Sequence, residues 1–171
     1  MEEKETNTHL IKVIVEIPKG SRNKYEFDHQ MKMFKYDRML FSSVHYPSDY
    51  GFIPETLAED GDPLDVLVLV SEPTFPGCLI DARPIGLFKM WDEKGVDYKI
   101  LSVPVHDPQW NWLKSLDDVP KHLLREIEHF FQIYKELEEK KTGVEGWDGL
   151  QSALKVIEEA ENRHKGSSKS K

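Results

Sequence analysis

Between Leu10 and Val105 the chain never keeps one structural period for long, and that restlessness limits what it can fold into. The run 9–17 is rich in β-branched residues and stops at Pro18. Residues 24–28 and 31–36 alternate with the period of two expected of strands, and the runs 64–70, 80–91 and 98–105 complete a set of short strands cut apart by Pro and Gly. Many short strands in one small unit predict a barrel or sandwich. After Pro108 the period changes. Asp118 is placed to cap a helix, with Pro120 tolerated in its first turn. Leu123, Ile127, Phe130, Phe131, Tyr134 and Leu137 then recur at helical spacing and form one apolar face. A second helix is expected from Asp148, where Asp148 and Gln151 resemble a capping box, with Leu150, Ala153, Leu154, Ile157 and Ala160 as its stripe. The reading is an α+β fold with a barrel-like centre and two C-terminal helices. With 171 residues a single domain, 1–171, is expected, with flexible tails at 1–8 and 166–171.

Chemistry concentrates in Asp60-Gly61-Asp62-Pro63-Leu64-Asp65-Val66, where three carboxylates fall within six positions around a tight turn. Carboxylates packed this closely repel one another, so a cation is the natural companion, and Mg²⁺ prefers carboxylate and water oxygens. A solvated acidic turn is the plain alternative. It is weakened by Asp65, which lies inside the apolar run 64–70, where a charge should be paired or metal-bound. The turn is not an EF-hand loop, because it lacks the third alternate oxygen ligand and the distal Glu.

A second acidic group follows at Asp92, Glu93 and Asp97, with Lys99 close behind. Asp-Glu-Lys-Gly is ordinary hairpin chemistry. If that hairpin returns Asp92 and Asp97 to the first turn, five clustered aspartates exceed what one ion needs and point to several, an arrangement suited to phosphoryl chemistry. Glu16, Lys24 and Glu26 read locally as cross-strand charge pairs. Arg38 is either a surface residue or an anion clamp. Tyr46 and Tyr50 fall in a turn at 45–51, Tyr134 on the helix stripe, and Lys135 on a position that ordinarily faces solvent. His122 and His129 lack zinc spacing and read as surface or half-buried residues.

Composition removes several function classes. A formal net charge of −8 argues against sequence-independent nucleic-acid or anionic-membrane binding, although bound cations can reverse the sign of a local site. Cys78 stands alone, which excludes an intrachain disulfide and suggests a reducing compartment. The opening residues carry no signal-peptide pattern, and no run approaches a membrane span, so a cytoplasmic protein is expected. No P-loop, dinucleotide-binding pattern or nucleophile elbow is present.

Taken together, these residues resemble the soluble family I inorganic pyrophosphatases. Asp60-Gly-Asp-Pro-Leu-Asp-Val66 fits the family signature, and the likeness runs from about Val13 to Trp147. It takes in Val15-Glu16-Ile17-Pro18, Lys24-Tyr25-Glu26, Asp37-Arg38, the segment from Tyr46 to Gly51, Asp92-Glu93 with Asp97 and Lys99, Phe130-Phe131 with Tyr134-Lys135, and Val144-Glu145-Gly146-Trp147. The resemblance implies a closed OB-type β-barrel with two C-terminal helices packed outside. It implies hydrolysis of pyrophosphate to two orthophosphates at a multi-Mg²⁺ site, with a metal-bridged water as nucleophile and Mn²⁺ able to substitute. Asp60, Asp65, Asp92 and Asp97 would bind metal, and Asp62 would be the general base. Lys24, Arg38, Tyr50, Lys99, Tyr134 and Lys135 would contact phosphate, and Glu16, Glu26 and Tyr46 would form the outer shell. A homo-oligomer, with a hexamer favoured, is implied as well. Two rivals stay open at this point: a barrel that binds ions or a phosphorylated ligand without catalysis, and a metal-dependent phosphatase acting on organic phosphates.

Overall fold

The computed structural model describes residues 9–169. Five strands close on themselves through hydrogen bonds: β1 (Ile11–Ile17) pairs with β4 (Asp49–Phe52), β4 with β5 (Asp65–Val68), β5 with β8 (Lys99–Pro104), β8 with β6 (Leu79–Asp92), and β6 back with β1. This ring agrees with the barrel the sequence led us to expect. The β5–β8 step is parallel and the others in the ring are antiparallel. Outside the ring, β2 (Asn23–Asp28) and β3 (Met33–Met39) form their own two-stranded sheet. The short β7 (Gly95–Val96) folds back on the end of β6, and β9 (Gly143–Asp148) adds to the same end.

The apolar run through β5 is explained by burial on both faces. Val66 and Val68 share a core with Val13, Val15, Ile100 and, from helix α2 (Leu150–Ser168), Ala153, Ile157 and Ala160. Leu67 and Leu69, on the opposite face, pack with Phe88, Leu101 and, from helix α1 (Lys121–Ile133), Ile127, Phe130 and Phe131. A strand with apolar neighbours above and below reads as a continuous hydrophobic stretch, not an alternating one. The two helices thus cap two different cores.

The helix ends differ from those expected from local sequence. Asp118 does not cap α1: it ends a 3-10 turn, Leu116–Asp118, and its carboxylate accepts the N–H groups of Lys114 and Ser115. Asp148 does not cap α2, whose N-cap is Gly149; the Asp148 carboxylate pairs with Lys89 instead. Leu137 leaves the apolar face, because α1 stops at Ile133 and a 3-10 turn, Glu136–Glu138, changes the period. α2 runs on through Gly166 to Ser168, taking in part of the expected tail. The expected N-terminal tail at 1–8, and residues 170–171, lie outside the described residues.

Three strands are absent from the expected set: β4 overlaps the end of the expected turn with two tyrosines, the two-residue β7 lies in the expected hairpin turn, and β9 falls between the expected helices. β4 is only four residues long and is defined by its neighbours. At Gly51 an added Cβ would stand 2.0 Å from the Ile14 carbonyl oxygen, so the β1–β4 approach requires glycine.

Candidate active site

The acidic turn is built by backbone geometry. Gly61 has φ +88°, the left-handed conformation that favours glycine. The Asp60 carboxylate accepts the Asp62 N–H at 3.0 Å, and the Asp62 carbonyl accepts the Ala58 N–H at 2.7 Å. Pro63 then directs the chain into β5. The β6–β7 turn is the hairpin expected locally, with the Asp92 carboxylate accepting the Lys94 N–H at 2.8 Å. It also brings Asp92 to the pocket that the Asp60 turn lines. Asp60, Asp62, Asp65, Asp92 and Asp97 line one pocket of about 530 Å³.

The same pocket is lined by Lys24, Arg38, Tyr50, Tyr134 and Lys135, and by Glu16, Glu26 and Tyr46. These residues come from the ring, from the separate β2–β3 sheet and from the end of α1, elements far apart in sequence. Lys135 is buried, not solvent-facing as its helix position suggested. Its Nζ lies 3.3 Å from Asp92 and 3.6 Å from Glu93. Lys24 Nζ is 2.5 Å from Glu26 and 3.5 Å from Asp37. Burial raises the Tyr50 and Tyr134 pKa values further above the phenol range, so both hydroxyls remain protonated donors near neutrality.

Lys99 is the exception among the expected phosphate contacts. It lies beneath the pocket, 1% exposed, and its Nζ reaches Asp65 at 2.9 Å, Asp97 at 3.0 Å and the Tyr50 hydroxyl at 3.0 Å. A lysine ammonium has three donors, so in this arrangement none is left for phosphate. Burial alone would lower its pKa, but Asp65 and Asp97 outweigh burial and push it up. The register explains the contact, since Asp65 and Lys99 are paired residues of the parallel β5–β8 ladder.

Among the described residues no three acidic side chains converge closely enough to hold an ion as they stand, and Lys99 stands between Asp65 and Asp97. The donor set nevertheless fits a hard divalent cation. Every candidate ligand is a carboxylate, and all of them face one pocket. Burial first, then the neighbouring charges of Asp65 and Asp92, raises the Asp97 pKa despite Lys99. Asp60 is also raised, chiefly by burial. Both shifts mark carboxylates whose ionised form burial disfavours, a penalty that an added cation would offset.

Sequence reasoning missed Glu138. Its side chain is 5% exposed, and its carboxylate lies against the Arg38 guanidinium. Nothing local could have flagged it, because Glu136, Glu138 and Glu139 look alike in a charged stretch.

The sequence and the fold both have close counterparts. Residues 13–165 match the family model described as inorganic pyrophosphatase. An inorganic pyrophosphatase of Methanosarcina acetivorans is 58% identical over 159 residues, covering 93% of this chain and 95% of its own. One of Synechocystis is 53% identical over 156 residues, covering 91% of this chain and 92% of its own. The crystal structure of the inorganic pyrophosphatase from Thermus thermophilus superposes with a TM-score of 0.89 at 41% identity, covering 96% of this chain and 95% of that one. A solved structure of the Helicobacter pylori inorganic pyrophosphatase gives a TM-score of 0.88 at 36% identity, covering 95% of this chain and 99% of that one. With a family model spanning most of its length and relatives matched nearly end to end, the chain belongs to the inorganic pyrophosphatase family.

Proposed function

We propose that the protein hydrolyses inorganic pyrophosphate to two orthophosphates in the pocket bounded by the Asp60 turn, the β6–β7 hairpin and the β2–β3 sheet. The observation that carries this reading is the meeting, in one pocket, of five aspartates with Lys24, Arg38 and Lys135. A polyanionic substrate and an attacking water repel each other strongly. Magnesium ions held by Asp60, Asp65, Asp92 and Asp97 would neutralise phosphate charge and lower the pKa of a water at that site.

The chain's own groups supply the remainder. Asp62, exposed at the pocket lip, accepts the proton of the attacking water as its oxygen bonds to phosphorus and the bridging P–O bond breaks. Arg38, Lys24, Tyr134 and Lys135 bind the phosphate oxygens and disperse charge on the departing orthophosphate. Glu16, Glu26 and Tyr46 support them. Lys99 acts as the counter-ion that keeps Asp65 and Asp97 together, with Tyr50 fixing its ammonium.

A purely ion-binding barrel would gain nothing from three cations facing the acids. A phosphatase for organic phosphates would be expected to have an aromatic platform for the organic group. Tyr25, Phe27 and Phe52 do line one wall, but Phe27 and Phe52 pack on each other with ring centroids 6.0 Å apart. Magnesium as working ion, manganese as substitute, a cytoplasmic setting and a hexameric assembly belong to this proposal on the strength of the family alone. Among the described residues no helix is long and apolar enough to cross a membrane. The test is phosphate release from pyrophosphate and from a panel of organic phosphates, with Mg²⁺ and with EDTA. Mg²⁺-dependent release confined to pyrophosphate is expected; release only from organic phosphates, or none from folded protein, would overturn the reading.

A further inference from the structure

Arg38 lies on β3, in a sheet that is separate from the ring carrying Asp60, Asp65 and Asp97. A backbone tie across that gap on one side is the Phe27 N–H, donated to the Glu16 carboxylate at 2.8 Å. On the other side the Arg38 guanidinium itself makes the crossing, to the turn after α1. Its Nη2 donates to Glu138 Oε2 at 3.3 Å, and its Nε stands 2.7 Å from Glu138 Oε1. The Nε contact is ionic and not an aligned bond, since the Nε–H has no acceptor along its direction. Nη1 donates to the adjacent Asp37. Each Nη nitrogen carries two hydrogens, so each keeps one donor free. Arg38 lines the pocket.

Glu138 is well placed to set this orientation. Its carboxylate is 5% exposed, and its backbone N–H is donated to the Lys135 carbonyl at 3.0 Å. One turn therefore fixes both Lys135 and the partner of Arg38. A carboxylate that deeply buried is costly unless paired, and Arg38 is the partner it has. The guanidinium pKa rises against the opposing effect of burial, with Glu138 as the largest favourable contribution.

We propose that Glu138 is a positioning residue of this site. It holds the Arg38 guanidinium on the rim so that its two free N–H groups meet a phosphate of the substrate. The proposal rests on the reading of Arg38 as a phosphate ligand.

The experiment is a double-mutant cycle of Glu138→Ala and Arg38→Ala, repeated with Glu138→Gln, which keeps the shape of the side chain. Binding of inorganic phosphate is measured by calorimetry in Mg²⁺, together with KM and kcat for pyrophosphate. Glu138→Ala should weaken phosphate binding and raise KM by about tenfold, the worth of one charge-assisted hydrogen bond. In the Arg38→Ala background the same change should matter by less than about twofold, since the group being positioned is gone. Glu138→Gln, expected to fold in any event, should show the same dependence on Arg38 with a smaller loss. Equal losses in both backgrounds would reduce Glu138 to a structural tie and overturn the proposal. Unchanged phosphate binding in Arg38→Ala alone would also overturn it, and would locate the fault in the reading of Arg38.

Discussion

Glu16 offers the most direct test of the pocket's electrostatics. It sits on β1 beneath the acidic cluster. Burial, only partly offset by the Phe27 N–H and reinforced by Asp65, pushes its pKa from the ordinary 4.5 up to about 7. Between these values the folded protein holds a proton that the unfolded chain has released. Stability from this group is therefore fully present below pH 4.5 and is lost as pH rises through about 7. The span corresponds to about 3 kcal/mol, reduced to about 2–3 kcal/mol because the pocket admits water. Glu16→Gln removes the titration while its amide oxygen can still accept the Phe27 N–H. Urea unfolding of both proteins in EDTA, at one protein concentration from pH 4 to pH 8, isolates the effect, since the other titrating groups are common to the two. The stability of the variant relative to wild type should climb by that amount across the window and level off above it. A difference that stays constant within about 0.5 kcal/mol would show that Glu16 titrates as in a free chain, and would refute the argument that the pocket floor is desolvated.

Asp62→Asn should lower kcat by about 10²- to 10⁴-fold, the usual worth of a general base, while Mg²⁺ affinity by calorimetry stays within about twofold. The reverse pattern would make Asp62 a metal ligand. Lys135→Ala should raise KM for pyrophosphate by about tenfold through loss of a charged contact, and unchanged kinetics would return Lys135 to a purely structural pairing with Asp92 and Glu93. Gly51→Ala should destabilise the fold by about 3 kcal/mol or more in urea, because the new methyl group has only the Ile14 backbone to displace. A loss under about 1 kcal/mol would mean that β1 and β4 can separate without penalty.

What the sequence determined by itself was everything that depends on near neighbours. The Asp60 turn is legible because Gly61 and Pro63 constrain the backbone locally, and the Asp92–Gly95 hairpin because its turn chemistry is complete within a few residues. The stripes of α1 and α2 could be read because helical periodicity is a local pattern, although their ends could not: Asp118 and Asp148 found partners the pattern does not contain. The residue types of the pocket were all visible, and motif order alone gave their family. Only the tertiary structure decided which of them meet. β4 and β9 exist because β1, β5 and β6 supply hydrogen-bonding partners, not because four or six residues prefer to be extended. Lys99 is expected among the phosphate contacts; the register opposite Asp65 buries it and its ammonium is held by Asp65, Asp97 and Tyr50. Glu138, a hundred positions from Arg38, gained its place only when a separate hairpin and the end of a helix closed on the same rim. Burial, pKa and pairing are properties of neighbours in space, and a linear chain does not record who those neighbours are until the ring of strands has closed.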